Sequence, residues 1–188
     1  MTPIPLHAHT YTCDPGMEIS GQVLGAYLYN VQRDIIEPIF KRHGMTDPDP
    51  EKWYPMQPVL DLLRELGDGP GGSANLIAIG VKVAEYGVQP EDMISAPLSF
   101  VLEHWEAHMY SNMRNGNAGR ILTEKVDDKF YKITQQNLFP DDFCYGLAFG
   151  FGRSRLPLGT NFKVWYEDYD NRLDNGDGDK TVICVQWE

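Results

Sequence analysis

The chain is poor in positive charge. Its 188 residues include 16 lysines and arginines against 27 aspartates and glutamates, a net charge of −11. Nucleic acids and anionic membrane surfaces attract basic patches, so neither is an expected partner. Cysteine is scarce too: Cys13, Cys144 and Cys184 are the only three. Three thiols cannot all pair, and the simple expectation is reduced cysteines in a cytoplasmic protein. No apolar run approaches the ~20 residues of a membrane span. The opening MTPIPLHAHTYTC has neither a basic n-region nor an apolar h-region, so it does not read as a secretory signal.

Catalytic and cofactor signatures are also lacking. The glycine-rich GDGPGGS at 67–73 follows a helical stretch, and no lysine comes after it until Lys82, so it is not a phosphate-binding loop. His7, His9 and Cys13 are close in sequence, but their spacing matches no zinc signature. His104 and His108 stand i, i+4 in the string HWEAH, which is not the metalloprotease pattern. They are candidates for a metal pair only with ligands from elsewhere; a solvated flank is the plainer reading. The run DNRLDNGDGD places Leu173 and Cys184 at the first and last ligand positions of a calcium loop, where both are wrong. It reads as a hairpin turn.

What is present is organised around LFPDDFCYGLAFGFGRSRLP at 138–157. Asp141 and Asp142 suit a helix N-cap and first turn. Phe143, Leu147 and Phe151 follow at helical spacing, beside Cys144 and Ala148. Gly146, Gly150 and Gly152 each cost a helix roughly 1 kcal/mol relative to alanine, so something must approach its backbone. Before it, four helices are expected. The first runs from Ile19 to His43, capped by Ser20, with Leu24, Tyr27, Leu28, Val31, Ile35 and Ile39 on one stripe and Pro38 kinking or ending it near Ile36. The second is Pro58 to Leu66. The third is Ala74 to Tyr86, with Ser73 as cap and Gly87 as stop. The fourth is Pro97 to Met113, with Leu98, Val101, Leu102, Trp105, Met109 and Asn112 on one face. From Arg120 the texture alternates: strands are expected at Arg120–Glu124, Phe130–Gln135, Asn161–Tyr169 and Thr181–Trp187. The fold class is therefore α+β. A helical half packs on a four-stranded antiparallel sheet with an inserted helix, ββαββ. Residues 1–18 form an extended arm, and 19–188 a single domain.

This order resembles the vinyl-reductase-type ligand-binding superfamily, which includes TRAPP vesicle-transport subunits and the haem nitric-oxide sensor domains. The residues that carry it are FPDDFCYGLAFG, similar to a YPxxFCxGxxxG helix start, and NGDGDKTVICVQW, similar to a GGDxCxFxVxW last strand. WYP at 53–55 and the hairpin entry from Gly116 to Val126 sit in the matching places. The resemblance spans about residues 19 to 188. It implies a module that binds a small apolar or tetrapyrrole-like ligand, senses, or assembles. The Y-x-S-x-R run that holds haem propionates in the nitric-oxide sensors is absent, so no haem ligand is carried over to His104 and no cofactor is expected.

The leading reading is a non-enzymatic small-molecule-binding or sensory module with an apolar pocket. Trp53, Tyr54, Trp105, Cys144 and Tyr145 are the candidate ligand-binding residues. The alternatives are a homodimeric assembly module without ligand, and an enzyme acting on a small hydrophobic substrate.

Overall fold

The alternation after Arg120 produces a hairpin in the computed structural model, which describes residues 11–29, 33–87, 89–167 and 180–188, the side chains of 27–36 excepted. Strands β4 (Gly119–Asp127) and β5 (Phe130–Asn137) pair from Gly119↔Asn137 to Asp127↔Phe130. Asp128 and Lys129 make the turn, and the Asp127 carboxylate accepts the Lys129 N–H at 2.8 Å. Strands β6 (Phe162–Tyr166) and β7 (Thr181–Trp187) complete a four-stranded antiparallel sheet in the order β4-β5-β7-β6. Tyr131, Ile133, Gln135 and Asn137 alternate onto its inner face and are fully buried. The expected turn over DNRLDNGDGD lies outside the described residues.

Helix α8 (Asp141–Arg155) is the insert between β5 and β6. Pro140 occupies its N-cap position, with Asp141 and Asp142 in the first turn. Pro140 offers no polar side chain to cap with, and no side-chain cap is made there. Asp141 is fully buried and accepts the Thr181 hydroxyl, while Asp142 accepts the Tyr166 hydroxyl at 2.9 Å. Both ties fasten the start of α8 to the sheet.

The glycines of α8 explain themselves. The helix lies along α4 (Gly72–Tyr86). A Cβ on Gly146 would stand 2.2 Å from the Ile77 carbonyl oxygen, and one on Gly80 2.2 Å from that of Phe143. A Cβ on Gly150 would stand 2.7 Å from the Val81 carbonyl oxygen. The approaching backbone at Gly146 and Gly150 is therefore α4, while Gly152 makes room for the Phe162 ring.

The helical half departs from expectation in its breaks. The Ile19–His43 segment begins as strand β1 (Glu18–Ser20), continues as α1 (Gly21–Tyr29) and resumes as α2 (Arg33–Arg42). Ser20 does cap: its Oγ accepts the Gln22 N–H at 3.2 Å. Pro38 does not end α2, because Ile39 and Phe40 beyond it are buried and their packing outweighs one lost hydrogen bond. Of the proposed stripe, Leu24 and Ile39 are buried, and the side chains of Tyr27, Leu28, Val31 and Ile35 lie outside the description. Helix α3 (Met56–Asp68) buries Val59, Leu62, Leu63 and Leu66 as its period predicts. Ser73 lies inside α4; the residue before the helix is Gly71, at a φ of 73°.

The expected Pro97–Met113 helix is two, α6 (Leu98–Glu103) and α7 (Trp105–Ser111), preceded by the short α5 (Glu91–Ile94). They part at His104, whose ring nitrogen Nδ1 meets the Phe100 carbonyl at 2.9 Å. Its own backbone N–H uses that same carbonyl at 3.0 Å. The side chain thus competes with the helical ladder. A second sheet, β2-β1-β3, adds β2 (Trp53–Pro55) and β3 (Met113–Arg114) on either side of β1. It ties the chain before residue 21 to the body. Met17 is buried, and the Tyr11 N–H donates to the Leu138 carbonyl at 2.9 Å.

Candidate functional site

Where α7, α8, the end of α4 and the inner end of the β4–β5 hairpin meet, the packing leaves a cavity of about 70 Å³. Its walls follow from the stripes read in the sequence. Helix α7 contributes Trp105, His108 and Met109, and α8 contributes Phe143, Cys144, Leu147 and Phe151. Val83 and Gly87 close one end, and Ile121 and Asn137 from the hairpin close the other. Ile19 and Val23 reach it from β1 and α1. Trp105 is buried and meets Phe151 edge-on, with centroids 5.4 Å apart.

Most polar groups on this surface are already engaged. Asn137 donates to Gln135 Oε1 at 2.5 Å and accepts the Phe139 N–H at 2.9 Å. Gln89 donates to the Ala84 carbonyl at 3.0 Å and accepts from Arg155. The Asn112 amide donates to the His108 carbonyl at 3.0 Å. His108 differs. Its Nδ1 is buried without a hydrogen-bond partner among the described residues. Burial pushes the imidazole below its usual value of 6.5, with Asp92 pulling weakly the other way, so the ring is neutral at pH 7.

The candidates from the sequence separate in space. Trp105 and Cys144 line the cavity. Tyr145, beside Cys144, turns to the sheet: its hydroxyl donates to the Val164 carbonyl at 2.7 Å and its ring meets Tyr166. Trp53 and Tyr54 lie in β2, paired with Ser20 and Ile19. Arg114 covers the Trp53 ring, and the Tyr54 hydroxyl accepts the Asp49 N–H at 2.8 Å. Of the histidine pair, His104 is exposed and stacked on Phe100, and only His108 reaches the cavity. No group of three metal-ligating side chains occurs among the described residues. His7 and His9 lie outside them. None of the three cysteines forms a disulfide. No described helix is long and apolar enough to cross a membrane. Sequence reasoning missed Leu147, Phe151 and Asn137 as walls; the period of α8 already set the first two beside Phe143.

A haem can be tested against this surface. Its propionates need cations, and no lysine or arginine lines the cavity. Pockets for drug-sized ligands run to roughly 300–1,000 Å³, and the space here is about 70 Å³. One neutral imidazole suits an iron; the volume and the missing cations do not suit the rest of the group. The residues present do not fit haem.

No family model matches the sequence, and no curated protein does. Solved structures do match. An H-NOX protein from S. oneidensis in the Fe(II) ligation state superposes with a TM-score of 0.63 at 9% identity, covering 90% of this chain and 96% of that one. An oxygen-binding H-NOX domain related to soluble guanylate cyclases gives 0.61 at 11%, covering 90% and 95%. A Cs H-NOX variant carrying 4-cyano-L-phenylalanine gives 0.62 at 11%, covering 90% and 97%. Element order, sheet topology and these superpositions agree: the chain has the fold of the H-NOX domains.

Proposed function

We propose that the chain is a non-enzymatic small-molecule-binding or sensory module of the cytoplasm, one α+β domain from residue 19 onward, whose pocket is the cavity between α7 and α8. The observation that carries this is an apolar cavity beside buried aromatics in an otherwise packed core. Protein interiors normally close such voids. The H-NOX neighbours support it through the fold, since one of them is an oxygen-binding domain and another is in an Fe(II) ligation state. Xenon is the direct probe, because apolar cavities accept it. NMR of the full chain under xenon pressure is expected to shift the Trp105 indole and the Met109 and Leu147 methyls in a saturable way. Shifts spread evenly over the surface would overturn the reading.

The enzyme alternative needs several polar side chains converging in the cavity; among the described lining residues, His108 has a buried polar atom without a partner. The homodimer alternative has one observation in its favour: Leu122 and Val126 are exposed on the edge strand β4. Sedimentation of the chain and of a Leu122→Lys variant tests it; equal monomer mass for both would dismiss it.

A further inference from the structure

The cavity also limits what can enter it. We infer that its guest is a compact, uncharged, largely apolar molecule with one hydrogen-bonding group, and that Nδ1 of His108 meets that group. The inference rests on the binding-module reading above and adds the class of ligand.

Size comes first. An apolar protein cavity of about 150 Å³ binds benzene. This one is about 70 Å³, so the guest has only a few non-hydrogen atoms.

Charge comes next. No Asp, Glu, Lys or Arg side chain lines the space. An ion there would be stripped of water with nothing to pair it. Arg155 does not itself line the space; it donates to the Ile94 carbonyl and to the lining residue Gln89 at Oε1, and its buried Nε has no partner among the described residues.

Polarity comes last. The amide nitrogens of Asn137, Gln89 and Asn112 already donate to neighbours within the protein. His108 Nδ1 is buried without a hydrogen-bond partner among the described residues, and His108 lines the cavity. A neutral imidazole offers either an N–H or a lone pair at that atom, according to tautomer. It can therefore receive a hydroxyl or meet a carbonyl, and an unmet buried nitrogen favours whatever guest satisfies it.

The test uses three small probes on the full chain: xenon, 2-propanol and acetate. Xenon reports the cavity alone, 2-propanol adds a hydroxyl, and acetate, with as many non-hydrogen atoms as 2-propanol, adds a charge. We expect 2-propanol, and not xenon, to move the His108 ring Nδ1 resonance. His108→Phe should weaken 2-propanol about tenfold and leave xenon within about twofold. Acetate should bind at least about tenfold more weakly than 2-propanol. Equal 2-propanol affinity in the variant, or acetate binding as well as 2-propanol, overturns the inference while xenon binding keeps the cavity reading. If neither xenon nor 2-propanol binds the wild-type chain, both fall. If His108→Phe does not fold, the wild-type ring resonance decides, and an Nδ1 signal that 2-propanol leaves in place overturns the inference.

Discussion

A methyl group on residue 146 would stand 2.2 Å from the Ile77 carbonyl oxygen, and backbone cannot step aside as a side chain can. Gly146→Ala is therefore expected to cost about 2–3 kcal/mol, the upper range of overpacking. Gly150→Leu should cost at least as much. Gly159 has a φ of 89° and nothing within 4 Å of its missing Cβ, so Gly159→Ala pays backbone strain alone, about 1 kcal/mol. Urea unfolding of the three variants checks the order; Gly146→Ala within error of wild type would refute the close approach. This feature was half legible in the sequence. Three glycines in one helix announce a close neighbour, because their propensity cost needs a reason. The identity of that neighbour was not legible, since Gly80 sits on a helix far away in sequence. The same limit held for Trp53 and Tyr54. Large aromatics mark buried places, but their spacing did not show that Trp53 and Tyr54 pair in β2 and are not among the residues that line the cavity.

The elements that carry strong periodicity came through: α3, α8, the β4–β5 hairpin and β7. Those missed are short. Strands β1 and β2 have three residues each and β3 has two, too few for an alternation to show. The break between α6 and α7 was hidden for another reason: the apolar stripe runs straight across it, and a side-chain hydrogen bond at His104 makes it. The fastening of α8 to β7 was invisible as well, because two aspartates before an apolar run look like ordinary capping. Thr181→Val tests that fastening. It removes a donor from the buried Asp141 carboxylate and should cost about 1.5–3 kcal/mol, as hydrogen bonds to charged groups do. A thermal melt shows the loss directly, and an unchanged midpoint would mean that the hydroxyl contributes nothing there.

For the molecule as a whole, stability should fall at both ends of the pH scale for different reasons. His108 is held below 6.5 by burial. The unfolded chain therefore takes up a proton that the folded chain refuses, and stability present above about pH 6.5 is lost as the pH falls below it. His108→Phe should flatten that arm of a pH series of urea midpoints. Glu65, lowered by Arg42, and Asp128, lowered by Lys125, act separately, below their ordinary values of 4.5 and 3.8. At the alkaline end, burial and then Asp68 push Tyr11 up to about 12, and burial and then Asp142 raise Tyr166 as well. Their folded forms keep protons that the unfolded chain releases near pH 10. Stability is thus intact below about pH 10 and declines as the pH climbs toward 12. The part of the tyrosinate absorbance near 295 nm that Tyr11→Phe and Tyr166→Phe remove should rise with unfolding, not before it. The glycine seam between α4 and α8 has a mechanical consequence at this scale. Two helices in backbone contact can neither slide nor roll on each other without overlap, so they behave as a single stiff slab. That slab carries Val83, Gly87, Phe143, Leu147 and Phe151 to the cavity. Whatever swells the cavity must be taken up opposite the slab, by seven-residue α7, whose axis the break at His104 already separates from that of α6.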